Sequence, residues 1–318
     1  MVAAGPLRVV FFGTPGFAVP TLEALLGSRH QVVGAVTQPD RPRGRGHKVS
    51  DAPVKQVAVA AGLPVLQPDR LADAAFLDQF VALRADIGVV AAYGKILSER
   101  VLAVPRLGMV NVHASLLPAY RGAAPVHRAI IAGERETGVT IMRVVKALDA
   151  GPMLTSVERP IDRDETSEDV ERDLAALGAV LLVSTLDDLG SGEVHEIAQD
   201  DSRATYAHRL TKADGVIDWT LPAERLHNVV RGLHPWPHAY TFLGGDRFIF
   251  LRSNWSADGP AGVAPGVVVR ADSDALTVAT GLGTLHIVRI QPEGKRPLSV
   301  REFLAGHRIA PGDRFSGP

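Results

Sequence analysis

Short apolar runs alternate with helix-like stretches over the first 115 residues of the chain. The runs are rich in Val, Ile and Phe and predict β-strands, whereas the stretches between them repeat apolar residues every three or four positions and predict helices. The predicted strands are 8–12, 31–37, 64–66, 86–93 and 109–114, and the predicted helices are 19–28, 52–61 and 71–84. This alternation indicates an α/β fold with an open, doubly wound, parallel-type sheet and a ligand site at the carboxyl ends of its strands.

The pattern of long elements continues to residue 189 and then changes. We expect a helix at 124–132, strands at 138–145 and 153–160, and a long helix at 167–189 that opens with acidic residues. Residues 190–207 contain glycines and many polar side chains with little periodicity, which is typical of a linker. The sequence therefore predicts a first domain at 1–189 and a linker at 190–207.

Short strands separated by Gly, Pro and Asp predominate in the remaining residues, 208–318. One helix is predicted at 223–232, and the strands that follow it are predicted at 239–242, 248–253, 266–270, 275–279 and 284–291. Such a pattern favours a small β-barrel or a sandwich as the second domain.

Composition narrows the class of protein. The chain has 318 residues, 46% of them hydrophobic and 22% charged, which is enough for buried cores in two domains. The absence of cysteine excludes disulfides, thiolate metal sites and a cysteine nucleophile. The longest apolar run, 174–186, is shorter than the ~18 residues of a membrane span, and the first residues do not read as a signal peptide. We therefore expect a cytoplasmic protein with no membrane partner.

The net charge of −1 does not by itself indicate a nucleic-acid partner, but the charge is unevenly distributed. Residues 1–205 carry a net charge of −4, and residues 206–318 carry +3. A mildly basic C-terminal part is compatible with a phosphate-bearing partner and does not establish one.

Several familiar motifs are absent. The first strand-to-helix turn reads Gly13-Thr14-Pro15-Gly16, which breaks the three-glycine spacing of a dinucleotide site. Near Gly88–Lys95, Ile96 stands where a phosphate loop needs Ser or Thr. The chain has neither the Gly-x-Ser-x-Gly of serine hydrolases nor the His-Glu-x-x-His of zinc proteases, and we expect no metal.

Three polar residues remain as candidates for catalysis. Asn111 and His113 lie two residues apart near the end of a predicted strand, so both side chains leave one face of the sheet. Asp149 follows another predicted strand and precedes Gly151, which permits a tight turn. An Asn that donates to an oxyanion, a His that shuttles a proton and an Asp that supports it form a plausible acyl-transfer set.

Four segments together resemble the folate-dependent formyltransferase family. They are Asn111-x-His113-x-Ser115-Leu-Leu-Pro118, Tyr120-Arg-Gly-Ala-Ala-Pro125, Thr137-Gly-Val-Thr-Ile-Met142 and Asp149-x-Gly151. The resemblance covers nearly the whole chain. It implies a Rossmann-like catalytic domain followed by an OB-like C-terminal β-barrel at 208–318 that contacts tRNA.

The same resemblance implies a donor and a set of site residues. The donor is 10-formyltetrahydrofolate, no metal is required, and the catalytic residues are Asn111, His113 and Asp149. The implied folate-binding residues are Ser115, Leu116, Leu117 and Pro118, with Tyr93 and Gly94 in the wall of the same site.

An Arg-rich loop after the second predicted strand distinguishes among formyl acceptors. Residues 38–48 carry four cations and one anion, and the loop resembles a tRNA-contacting insertion of the family. The tRNA-binding residues that this implies are Arg41, Arg43, Arg45, His47 and Lys48. The expected acceptor is therefore the α-amino group of initiator methionyl-tRNA, in translation initiation, and we expect the enzyme to act as a monomer.

Three alternatives remain open at this point. They are an amino-sugar nucleotide formyltransferase, a 10-formyltetrahydrofolate hydrolase, and a non-catalytic RNA-binding protein on a degenerate formyltransferase scaffold. The Arg-rich loop argues against the sugar acceptor, and the intact set of Asn111, His113 and Asp149 argues against the non-enzyme.

Overall fold

The computed structural model describes residues 5–43 and 48–317, with side chains throughout these ranges except at 41–43 and 48–50. Its helices are α1 (Val19–Leu26), α2 (Pro53–Ala60), α3 (Ala74–Ala82), α4 (Glu99–Leu102), α5 (Pro125–Ala132), α6 (Ser167–Ser191), α7 (Ala223–Gly232) and α8 (Val300–Gly306). Its strands are β1 (Arg8–Gly13), β2 (Gln31–Val36), β3 (Arg41–Arg43), β4 (Lys48–Ser50), β5 (Val65–Leu66), β6 (Ile87–Ala91), β7 (Met109–His113), β8 (Arg121–Gly122), β9 (Glu136–Arg143), β10 (Met153–Pro160), β11 (Tyr206–Ala207), β12 (Ala239–Leu243), β13 (Asp246–Ser256), β14 (Val268–Asp272), β15 (Ala275–Ala279), β16 (Thr284–Pro292) and β17 (Leu298–Ser299).

Packing groups the chain into two compact units. The first contains the residues up to Pro125 together with Thr137–Arg159 and Glu171–Ala207. The second contains Val126–Glu136, Pro160–Val170 and the residues from His208 onward. The predicted boundaries at 189 and 208 stay a prediction, and this grouping differs from them at two short segments.

The first unit is built on a seven-stranded sheet with the order β10-β9-β7-β6-β1-β2-β5. Five neighbouring strands of this sheet, in the order β7-β6-β1-β2-β5, run parallel to one another. Strand β9 runs antiparallel to β7. Because β1 lies between β2 and β6, the chain winds outward from β1 in both directions, which confirms the predicted α/β sheet. The core on one side of the sheet includes Phe12, whose ring packs nearly perpendicular to the rings of Phe80 and Tyr93.

Two elements of this unit end earlier than the sequence predicts. The strand predicted at 86–93 stops at Ala91, because Ala92 takes a positive φ of 45°, which extended strands do not use. The helix predicted at 71–84 is Ala74–Ala82, and Arg84 has a positive φ of 49°.

Helix α6 covers the sheet of this unit. Its buried positions Ala175, Ala179, Leu182 and Leu186 recur every three or four residues, and Leu174 beside them is buried as well. Gly178 faces β7 and β9 so closely that a Cβ there would come within 2.7 Å of the Val112 side chain. Of the described helices, α6 alone has the length and apolar composition of a membrane span, a test that core helices of soluble proteins also pass.

The second unit holds an antiparallel sheet with the order β12-β13-β16-β15-β14 and with β17 paired to β16. The segment near the C-terminus closes this sheet, because Ser316 bridges Phe242 of β12 and Arg314 bridges Val267 beside β14. Between these bridges Phe315 packs its ring on Trp219, with centroids 5.9 Å apart. The sequence left a barrel and a sandwich open, and this closure by the last residues makes the fold a barrel.

Candidate active site

Two polar side chains leave one face of the sheet at the end of β7. Asn111 is half-buried and lies in register with Val90 of β6 and Met142 of β9. His113 is 5% exposed and lies in register with Thr140. The pair is at the carboxyl end of the parallel strands, where the sequence predicts the ligand site.

The hydrogen bonding of His113 assigns its neutral tautomer. Nε2 lies 3.1 Å from the carbonyl oxygen of Tyr120, and because a carbonyl can only accept, Nε2 carries the proton. Nδ1 therefore presents a lone pair in the neutral ring, and it faces Asp149 Oδ2 at 3.8 Å. A proton gained at Nδ1 would be held between the imidazole and this carboxylate, so His113 is placed to accept one.

Asp149 is held in place by backbone groups. Its side chain is 16% exposed, and its Oδ2 accepts a hydrogen bond of 2.9 Å from the N–H of Gly122. Its φ of +46° lies in the left-handed region, which non-glycine residues seldom adopt. Gly151 is required two residues later, because a Cβ at this position would collide with the carbonyl of Arg143.

An imidazole thus faces a carboxylate at one edge of the sheet, and the amide of Asn111 lies two residues before the imidazole on the same strand. This set can donate a hydrogen bond to a developing oxyanion, move a proton and stabilise a positively charged imidazole. Among the residues that the structure describes, no group of three or more His, Asp or Glu side chains is placed to hold a metal ion.

The loop predicted to bind folate is anchored to β9. Thr140 Oγ1 donates to the carbonyl of Ser115 at 2.8 Å and accepts from the N–H of Leu117 at 3.2 Å. Ser115 Oγ donates to the carbonyl of Ala119 at 2.6 Å, and the peptide bond between Leu117 and Pro118 is cis. Leu116 packs close to Gly138 on β9. These contacts fix the backbone of 115–118 beside His113, and the role of the loop in binding stays a prediction.

Tyr93 and Gly94, the predicted wall of the same site, differ in exposure. Tyr93 is 1% exposed, and burial raises the pKa of its hydroxyl to about 12. That hydroxyl has no hydrogen-bond partner among the described residues. The carbonyl of Tyr93 accepts from Gln38 Nε2 at 2.8 Å, whereas Gly94 is exposed with a φ of +81°. The Tyr93 ring therefore belongs to the core, and only its backbone and Gly94 are placed to line a site.

Comparison with known proteins extends over both units. The formyl transferase family matches residues 7–186, and the formyl transferase C-terminal domain matches residues 209–308. A methionyl-tRNA formyltransferase from Roseiflexus sp. (strain RS-1) is 46% identical over 311 residues, which cover 98% of this chain and 95% of that protein. The chain belongs to the methionyl-tRNA formyltransferase family.

A second member of the family, from Methylococcus capsulatus (strain ATCC 33009 / NCIMB 11132 / Bath), is 48% identical over 306 residues, covering 96% of this chain and 98% of that one. Among solved structures, an N-formyltransferase from Helicobacter canadensis in complex with folinic acid and dTDP-3-aminofucose is similar with a TM-score of 0.67. It shares 16% identity, covering 88% of this chain and 98% of that chain, so the likeness shows a common fold.

The Arg-rich loop of this family member is described only in part. Its backbone forms an antiparallel hairpin in which Arg41 pairs with Ser50 and Arg43 pairs with Lys48. Arg45 and His47 lie outside the described residues, as do the side chains of Arg41, Arg43 and Lys48. The tRNA contacts expected for this loop stay predictions.

Sequence reasoning selected the residues on β7 and on the Asp149 loop and missed a second group of residues that bonds to them. Gln199, Thr205 and Asp201 come from the stretch predicted as a linker, yet residues 197–207 are hydrogen-bonded into the first unit. Gln199 contacts the Asp149 loop, and Asp201 pairs with Arg121 at 2.7 Å. The sequence gives little indication of this role, because three polar residues in a stretch without periodicity are typical of a solvent-exposed loop.

Proposed function

We propose that this protein transfers the formyl group of 10-formyltetrahydrofolate to the α-amino group of methionyl-initiator tRNA in translation initiation. The observation that carries the proposal is the approach of His113 to Asp149 at the carboxyl edge of the sheet, with Asn111 two residues before His113 on β7. Similarity over nearly the full length to methionyl-tRNA formyltransferases supports the choice of acceptor.

The reaction forms a carbon–nitrogen bond and breaks another. The α-amino nitrogen attacks the formyl carbon, the bond from that carbon to N10 of the folate breaks, and the proton lost by the amine reaches N10. The Asn111 amide donates to the formyl oxygen as negative charge develops there, an interaction stronger in the transition state than in the ground state. His113 accepts the proton that the amine loses and passes it towards N10. The Asp149 carboxylate stabilises the imidazole while it is charged.

The residues near this set suit a folate. The loop 115–118 supplies fixed backbone groups beside His113, and Gly94 leaves an open backbone position after β6. A planar ligand with polar edges is recognised by such backbone donors and acceptors together with apolar walls. We assign Ser115, Leu116, Leu117, Pro118, Tyr93 and Gly94 to the folate site, Tyr93 through its backbone.

The acceptor is recognised through its phosphates. The loop that contains Arg41, Arg43, Arg45, His47 and Lys48 carries positive charge that suits an acceptor stem. The net charge of +3 on residues 206–318 adds a second basic region. The protein would act in the cytoplasm as a monomer.

The deciding experiment measures formyl transfer from 10-formyltetrahydrofolate to charged initiator methionyl-tRNA at 50 mM and 200 mM salt. Parallel reactions contain an amino-sugar nucleotide or no acceptor. We expect formylation of the tRNA alone, with kcat/KM falling steeply as salt increases, because phosphate contacts release counterions. Transfer to the sugar, or release of formate without an acceptor, would overturn the assignment of substrate and leave the catalytic set in place.

A further inference from the structure

A single glutamine side chain joins the loop that carries Asp149 to the segment around Arg121, whose backbone contacts His113 and Asp149. Gln199 Nε2 donates to the carbonyl oxygens of Asp149, at 2.8 Å, and Gly151, at 2.7 Å. Its Oε1 accepts from the guanidinium of Arg121, from Nε at 3.0 Å and from Nη2 at 2.8 Å. Both hydrogens and both lone pairs of the amide are therefore used.

This bonding pattern fixes the orientation of the Gln199 amide. Arginine has donors only, so the oxygen of the amide must face Arg121. Carbonyls accept only, so the nitrogen must face Asp149 and Gly151. A flipped amide would lose all four hydrogen bonds, which makes Gln199 a rigid link between the loops.

Arg121 is itself fixed. It is 3% exposed, its charge is paired with Asp201 at 2.7 Å, and its N–H donates to the carbonyl of Thr205 at 2.8 Å. Its two chain neighbours contact the catalytic set, since the carbonyl of Tyr120 accepts from His113 and the N–H of Gly122 donates to Asp149. Gln199 is thus bonded to a residue whose position sets both contacts.

The backbone of Asp149 needs such support. Its positive φ of 46° is a conformation that a non-glycine residue seldom adopts and that persists only where the surroundings hold it. The carbonyl that Gln199 binds belongs to this same residue. Without that hydrogen bond, the loop can relax and move the carboxylate away from His113 Nδ1.

We propose that Gln199 is a positioning residue that holds the Asp149 carboxylate against His113. The proposal rests on the proposed formyl transfer, in which Asp149 acts through its carboxylate. It predicts that removing the Gln199 amide lowers kcat and leaves the KM values for folate and tRNA nearly unchanged, because all four hydrogen bonds of the amide go to groups of the protein.

The test compares Gln199→Met, which keeps the length of the side chain, with Gln199→Glu, which keeps an acceptor for Arg121 and loses both donors. We expect each variant to lower kcat by about 10–100-fold, the range for misplacement of a reacting group by about 1 Å. The matched control is Gln31→Met, which removes another Gln that accepts from an arginine, Arg8 Nη1 at 2.9 Å, at the opposite end of the sheet. The control should keep the wild-type kcat.

A double-mutant cycle separates positioning from a general structural role. In an Asp149→Asn background, where no carboxylate remains to be positioned, Gln199→Glu should change kcat less than twofold. An undiminished effect in that background, or wild-type kcat in the Gln199→Glu single variant, would overturn the proposal. Circular dichroism and thermal unfolding identify a variant that fails to fold, and a wild-type enzyme inactive on methionyl-tRNA would refute the proposed function instead.

Discussion

The backbone N–H of Gly122 donates to Oδ2 of Asp149 over 2.9 Å, and this is the same carboxylate oxygen that faces His113 Nδ1 at 3.8 Å. This oxygen therefore accepts a hydrogen bond from the backbone of Gly122 and can accept a second one from a protonated His113 Nδ1. A carboxylate fixed in this way needs little reorganisation when the imidazole becomes charged.

Replacing this carboxylate by an amide of the same size tests its charge. We expect Asp149→Asn to lower kcat about 10²–10⁴-fold, the usual contribution of a group that assists proton transfer. Steady-state kinetics on methionyl-tRNA measure the effect. Asp187→Asn, at a half-buried residue on α6 that pairs with Arg29 and His30, serves as a control that should keep wild-type kcat. An active Asp149→Asn enzyme would remove Asp149 from the catalytic set.

Asn111 is assigned to the formyl oxygen, where it acts in the transition state. Asn111→Ala should lower kcat about 10²–10³-fold, the range for loss of one oxyanion donor, and should leave the KM for tRNA within about threefold. Rapid-quench measurement of a single turnover isolates the chemical step. A normal rate in that measurement would exclude Asn111 as an oxyanion donor.

The sequence predicted the sheet well because its strands are continuous apolar runs. The strand predicted at 109–114 is β7, Met109–His113, and its period of two correctly placed Asn111 and His113 on one face. The ends were less predictable, since the strand predicted to reach Tyr93 stops where Ala92 adopts a positive φ. A single backbone dihedral of that kind leaves no mark on hydrophobic periodicity.

Hydrophobic periodicity could not predict that residues 197–207 contact the site. Gln199 is 50 residues away from Asp149 in sequence and 78 from Arg121, and its contacts arise from the tertiary fold. Residues 197–207 have no repeating apolar positions because they follow the site loops, and their regular structure is limited to a short 3-10 helix at Asp201–Arg203 and the two-residue strand β11. Long-range side-chain to backbone hydrogen bonds of this type become visible only once the loops are in place.

A substitution at Tyr93 tests whether its side chain contacts the folate or only packs in the core. Its buried hydroxyl has no partner among the described residues, and an unpaired buried hydroxyl costs about 1–3 kcal/mol. Tyr93→Phe should therefore leave the free energy of unfolding unchanged or raise it by about 1 kcal/mol, with the KM for 10-formyltetrahydrofolate unaltered. Urea denaturation and folate kinetics check both parts. A KM increase of tenfold would place the hydroxyl in the folate site.

Lys55 links the two ends of the Arg-rich hairpin. Its ammonium pairs with Asp40, the residue before β3, and with Asp51, the residue after β4, at 2.8 Å for the latter. These contacts raise the pKa of Lys55, chiefly through the hydrogen bond that its ammonium donates to Asp40. Lys55→Met leaves two carboxylates together at the base of the hairpin, and we expect a KM for methionyl-tRNA about 3–10-fold higher with little change in kcat. Lys146→Met, at an exposed lysine paired with Glu99, is the matched control. An equal KM in both variants would show that the hairpin base does not affect tRNA binding.

His127 gives the second unit a pH-dependent stability. Burial, with a smaller effect of Arg128, lowers its pKa from 6.5 to about 4. Between these values the unfolded chain binds a proton that the folded one does not, so the free energy of unfolding falls as the pH drops from about 6.5 towards 4. Between pH 7 and pH 5 this residue should account for about 2 kcal/mol of lost stability.

His127→Gln removes this titration and should reduce the loss of stability between pH 7 and pH 5 by that amount. Urea denaturation followed by tryptophan fluorescence is suited to the measurement, because all three tryptophans, Trp219, Trp236 and Trp255, belong to the same unit as His127. The quantity to compare is the change in the free energy of unfolding between pH 7 and pH 5 in each protein. The absolute values are less informative, because the substitution also changes packing at both pH values. Parallel losses of stability in the two proteins would mean that His127 titrates normally in the folded state.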